Sequence, residues 1–154
     1  GVSFIATANI GTEYTATKVM DRALLDRFQI VEAEKLDKEA EEGLLSREFP
    51  TVPDTMINAI ASIAHSTRKE IETDTPRIAT AISTRSTIAM AGLIADGFIL
   101  EEAAEVAVFP FYSPDGGMDS ERTFVRQLVQ KFIVNETSDN TVEEDLFNIE
   151  DDTV

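Results

Sequence analysis

Apolar residues follow two patterns along this chain: short unbroken runs before residue 32, and helix-spaced positions after it. Val2–Ala8 is short, apolar and bounded by polar residues. That predicts a buried strand of a parallel sheet, although periodicity alone leaves a buried helix open. Asn9–Val19 turns polar, with Gly11 and repeated threonines, and reads as a loop. Met20–Asp26 predicts a short helical turn, with Asp21 as a suitable N-cap before Arg22-Ala23-Leu24-Leu25. Phe28–Val31 returns to β-type residues and predicts a second strand.

From Glu34 the period lengthens. Glu34–Glu48 is charged, with Leu36, Ala40, Leu44 and Leu45 at helical spacing, so an exposed amphipathic helix is predicted, weakened by Gly43. Phe49-Pro50-Thr51-Val52-Pro53 breaks it twice, because proline lacks a donor and clashes with the preceding turn. A domain boundary is expected there. Asp54–Ile71 is helical, with Met56, Ile57, Ile60, Ile63 and Ala64 on one face. Ala79–Ala95 is small and apolar on most sides and predicts a buried helix ending at Asp96-Gly97. Leu100–Val108 follows, with Glu101 and Glu102 in the first turn, where the helix dipole favours acids. After the loop around Ser113–Gly117, Asp119 or Ser120 caps a last helix whose stripe is Phe124, Val125, Leu128, Val129, Phe132 and Ile133.

Composition narrows the classes. A chain of 154 residues makes one ordinary domain or two small ones, and its 43% hydrophobic content suffices for a core. There is no cysteine, hence no disulfide, thiol nucleophile or thiolate metal site; the expected location is the reducing cytoplasm. A net charge of −16 argues against a broad nucleic-acid surface. No apolar run approaches the ~18–20 residues of a membrane span. Asn135–Val154 holds eight acids and no Lys or Arg, so a disordered, solvating tail is expected, with Leu146, Phe147 and Ile149 as its sizeable apolar cluster. The chain begins inside a predicted buried strand, without Met. It is therefore expected to be a piece of a longer protein, a true N-terminal edge strand being the alternative.

Three pieces in order carry a resemblance: Ala6-Thr7-Ala8-Asn9, then Asp21–Phe28 (DRALLDRF), then Ile82-Ser83-Thr84-Arg85 opening a helix. With Asp96-Gly97-Phe98 and Ser120-Glu121-Arg122 in the later helices, the span from about Val2 to Phe132 resembles the AAA+ ATPases, most closely the MoxR-like group and its phage relatives. The resemblance implies a mainly α chain. Residues 1–36 would be the end of an α/β nucleotide-binding core with about two strands, 37–52 a helical linker, 53–134 a four-helix lid and 135–154 the tail.

It also implies roles. Asn9 matches sensor 1, whose amide would hold the attacking water beside the γ-phosphate; the alternative is a loop asparagine capping a turn. Arg27 matches the arginine finger, which would reach into a neighbouring subunit's site and neutralise charge on the phosphoryl group. A surface ion pair with Asp26 or Asp21 is the plainer alternative, and Arg22 is a rival finger. Arg85 matches sensor 2, reaching from the lid to the γ-phosphate, with Arg77 as the nearby alternative and structural hydrogen bonding as the plainer role. The implied cofactors are ATP and Mg in the intact protein, with none held tightly by this chain. The implied partners are other subunits of a ring, expected as a hexamer, and a protein client, with no nucleic acid or membrane.

The chain has no GxxxxGK[ST] phosphate loop and no apolar strand ending in an Asp-Glu pair. By itself it should not hydrolyse ATP. In the resembled family a phosphate-loop strand lies between the two predicted here, so residues 1–33 are expected to be irregular, re-paired, or dependent on another chain. Other candidates are weak. His65 reads as a surface residue, and the runs Glu39-Ala40-Glu41-Glu42 and Glu143-Glu144-Asp145 as solvated acids. Ser46-Arg47 and Ser66-Thr67-Arg68-Lys69 are too small to be nucleic-acid patches. A different class also fits: a non-catalytic helical interaction module with an acidic tail.

Overall fold

The computed structural model describes residues 3–7, 23, 26–31 and 35–144, with side chains of the last helix described as far as Ile133. The chain divides into two compact units, Gly1–Lys35 and Leu36–Val154.

In the first unit the described residues form no strand. The strands predicted at Val2–Ala8 and Phe28–Val31 are corrected to irregular segments over residues 3–7 and 29–31. Phe4, Ile5 and Val31 are 81%, 96% and 83% exposed. A strand's N–H and C=O groups are satisfied only by a neighbouring strand, and none is present among the described residues. Met20–Asp26 is described only at Ala23, which is helical, and at Asp26, in a turn; Asp21 lies outside the described residues.

The second unit is all helical: α1 (Lys38–Glu48), α2 (Asp54–Ile71), α3 (Thr84–Ala95), α4 (Leu100–Ala107) and α5 (Glu121–Glu144), with 3₁₀ turns at Phe109–Phe111 and Gly117–Asp119. Asp37 caps α1, its Oδ1 accepting from Ala40 N at 2.7 Å. α1 is not the exposed helix expected. Of the predicted stripe Leu45 is fully buried, Leu36 and Leu44 are half-buried and Ala40 is exposed, and the inward face also takes in Glu41, which is fully buried. The break at Phe49–Pro53 turns the chain from α1 back along α2 within this unit. α2 carries the centre of the core: Ile57, Ile60, Ile63 and Ala64 are at most 2% exposed. Each such isoleucine contributes about 1.5–3 kcal/mol by leaving water.

Helix α3 starts at Thr84 rather than Ala79, because tertiary hydrogen bonds take the backbone of residues 79–82. Ala79 N–H donates to Glu121 Oε1 (2.7 Å), Ile82 N–H donates to Thr67 Oγ1 (3.0 Å), and Thr80 O accepts from the Tyr112 hydroxyl (3.0 Å). Ser83 then caps the helix. Nor is α3 buried on most sides: Thr87, Met90 and Ala91 face inward while Arg85, Ile88 and Ala89 are exposed. It ends as expected at Gly97 (φ 97°), where Gly97 N–H donates to Ile94 O and Phe98 N–H to Leu93 O, both at 3.0 Å. This doubly bonded left-handed cap needs glycine's freedom.

Ser120, not Asp119, caps α5, its Oγ accepting from Thr123 N–H at 3.2 Å. Val125 and Val129 are buried, and Phe124, Leu128, Phe132 and Ile133 pack against the core, as the stripe predicted. The helix runs on to Glu144, ten residues into the acidic stretch expected to be disordered. Asn135–Glu144 contains neither Gly nor Pro to stop it. Leu146, Phe147 and Ile149 lie outside the described residues.

Candidate functional site

The second unit has an open groove of about 730 Å³ between the start of α3 and the chain from Val106 to Tyr112. Its floor is built by the extended approach to α3. Thr67, buried in α2, donates to Ala64 O and accepts from Ile82, fixing that approach. Tyr112 braces it from the far side through Thr80 O. Burial, reinforced by the Glu121 charge, pushes the Tyr112 hydroxyl up to about 12. It is therefore a donor at neutral pH.

Arg85 is the one charged residue lining this groove. It is exposed, occupies the second position of α3, and makes no ion pair among the described residues. Ser83 and Ser86 line the groove beside it, with Ser86 N–H bonded to Ser83 Oγ at 3.3 Å. The first-turn N–H groups of Thr84 and Arg85 have no acceptor among the described residues, as at any helix start. A guanidinium, unpaired amides and the positive end of a helix dipole thus converge, which suits a phosphate. The remaining wall is apolar: Ala89, Leu93, Val106 and Phe111. No carboxylate lines the groove, and no group of three or more His, Asp or Glu gathers among the described residues, so these residues fit a phosphate but not its magnesium.

Arg77 is engaged elsewhere. Its Nε and Nη2 donate to Glu70 Oε1 and Oε2 at 2.9 and 3.0 Å, and its guanidinium lies 3.9 Å from the centroid of Phe124. The fork holds the Glu70 carboxyl below its usual range. Arg27 is described, exposed and in the first unit, with no ion pair among the described residues. Asn9 and Arg22 lie outside the described residues.

Two readings of the sequence need correction. Glu41, taken as one of a solvated acidic run, is fully buried: its Oε1 accepts from Thr87 Oγ1 at 2.7 Å, and its Oε2 meets Arg68 Nη1. Thr67 and Arg68, read as part of a stretch too small to be a basic patch, are buried: Thr67 accepts from Ile82 N–H, and Arg68 meets Glu41 of α1. The available signal was spacing: Glu41 sits four residues before Leu45, and Arg68 four after Ala64, so each extends an apolar stripe. His65, read as a surface residue, is partly exposed on α2.

The family model described as CbbQ/NirQ/NorQ C-terminal matches residues 41–132, the span from the buried Glu41 to the last turns of α5 that pack on the core. The chain is also 32% identical over 103 residues to a protein of Thauera aromatica named "Putative chaperone BssE". That alignment covers 67% of this chain and 34% of the relative, so the chain spans about a third of that protein's length. All helical between Lys38 and Glu144 and matched from its first buried carboxylate to its last core phenylalanine, the chain belongs to the CbbQ/NirQ/NorQ C-terminal family of MoxR-type AAA+ proteins.

Proposed function

We propose that this chain supplies the lid and the trans-acting parts of a ring-forming AAA+ machine, which couples ATP binding and hydrolysis to remodelling of a protein client or cofactor assembly. Residues 53–134 are the lid, and the residues before 37 belong to the core. In this reading Arg85 contacts the γ-phosphate and reports nucleotide state as lid position. Arg27 is the finger offered to the neighbouring subunit, and Asn9 holds the attacking water. ATP and Mg²⁺ are held chiefly by the remainder of the core.

One observation carries the reading: Arg85 stands exposed and without a carboxylate at a helix start, in a chain of net charge −16. Lys38, Arg47, Arg68, Arg77 and Arg126 each pair with a carboxylate, whereas Arg85 has none among the described residues. Family membership and the chaperone name of the relative support the remodelling role. Of the two arginines near the lid's groove, Arg85 is favoured over Arg77 because Arg77 already spends its fork on Glu70. Arg22 remains the second choice for the finger.

The test is subunit mixing. Joined to a complete AAA+ core, rings of Arg27→Ala subunits should lose hydrolysis by about 10³-fold or more. Activity should return in part when they are mixed with subunits that cannot bind ATP but keep Arg27. Full activity of the Arg27→Ala ring rejects the finger role.

A further inference from the structure

One buried polar chain connects the turn that carries Arg85 with the point where the second unit begins. Thr87, two residues after Arg85 and fully buried, donates through Oγ1 to Glu41 Oε1 at 2.7 Å. Glu41 Oε2 meets Arg68 Nη1, and Arg68 Nη1 donates to the carbonyl of Leu36 at 2.8 Å. Leu36 is the first residue of the second unit. The chain thus crosses α3, α1 and α2 and ends on the backbone just before the Asp37 cap.

Its energetics do not suit a device for stability alone. Buried ion pairs cost desolvation, and apolar residues of similar volume often serve as well or better. This pair is also incompletely bonded: Glu41 Oε2 and Arg68 Nε make no aligned hydrogen bond, although the charges touch. What such a chain does supply is position. Thr87 Oγ1 can reach Glu41 only with α3 at one rotation and one height over α1. Arg68 can hold Leu36 only while Glu41 holds Arg68.

We propose that Thr87, Glu41 and Arg68 are positioning residues that tie the first turns of α3 to the chain at Leu36, so that displacement at one end is felt at the other. Where Arg85 engages a phosphate, the tie carries that engagement to the segment entering the lid. That consequence rests on the function proposed above, whereas the tie itself does not.

The experiment alters one end and reads the other. Amide hydrogen exchange is measured on the full chain, with Thr87→Val and Thr87→Ser beside the unaltered protein. The reporters are Ala40 and Glu41, whose N–H groups bond to the Asp37 cap. Losing one charge-assisted hydrogen bond should speed their exchange about tenfold or more in Thr87→Val, relative to Val125 and Val129 in α5. Thr87→Ser, which keeps the hydroxyl, should stay within about twofold of the unaltered chain. In the reverse direction, Glu41→Leu with Arg68→Met should keep the fold but speed exchange at Ser86 and Thr87. Failure of that double variant to fold would show that the pair is needed for stability and would overturn the energetic argument. Exchange at Ala40 and Glu41 that follows α5 in both Thr87 variants would overturn the tie. Neither outcome depends on nucleotide, so a failed tie leaves the reading of Arg85 standing.

Discussion

The first turns of α3 have a braced side and an open side. On the braced side Thr87 reaches a buried carboxylate that is itself matched by Arg68. Leading into the helix, Arg77 is clasped by Glu70 and lies over Phe124. On the open side, Arg85 faces a groove with no carboxylate in its wall. Partners divide these arginines: Arg68 and Arg77 each meet a carboxylate within the fold, while Arg85 has no carboxylate partner among the described residues. A cation that the fold leaves unmatched beside free helix amides is available for a ligand.

Changes on the braced side should therefore register in stability, and changes on the open side in activity. The largest expected effect is Glu41→Ala, which strands Arg68 as a buried unpaired charge and should lower stability by about 3–5 kcal/mol in chemical denaturation. A loss under about 1 kcal/mol would mean that the pair is hydrated and the braced side is not braced.

Next comes alkaline pH. The Tyr112 hydroxyl is raised from about 10, its unfolded value, to about 12. The fold therefore prefers the protonated form. Its advantage is complete below pH 10 and is lost as pH rises through about 12. Unfolding free energies from urea denaturation at pH 9 and 11.5 should differ by on the order of 1–2 kcal/mol in the unaltered chain. Most of that difference should vanish in Tyr112→Phe. Gly97→Ala should cost about 1–2 kcal/mol, because its left-handed backbone strains any Cβ. The smallest effect belongs to the open side: Arg85→Ala should change stability by no more than about 0.5 kcal/mol.

Much of the helical unit was legible because its signals are local. The Asp54–Ile71 face, the Gly97 stop and the Phe124–Ile133 stripe all follow from period and cap chemistry. What escaped depends on distant partners. The late start of α3 is decided by Glu121, Thr67 and Tyr112, which no window around Ala79 contains. Glu41 looked solvated because its partners lie 27 and 46 residues further along the chain. The apolar runs at 3–7 and 29–31 have strand composition, but a strand needs a neighbouring strand, and none is present among the described residues. Arg85 could be placed from its motif, but its lack of a carboxylate partner became visible only in the fold.

The most direct measurement compares two arginines in one assembled, ATP-hydrolysing ring. The single-turnover hydrolysis rate is measured for Arg85→Ala and for Arg77→Ala, with folding of each verified beforehand. The account predicts a loss of at least about tenfold for Arg85→Ala, as expected when a charged group stabilising the phosphoryl transition state is removed. For Arg77→Ala it predicts a rate within about twofold of the unaltered ring. Equal rates for Arg85→Ala and the unaltered ring, or a loss confined to Arg77→Ala, would contradict it.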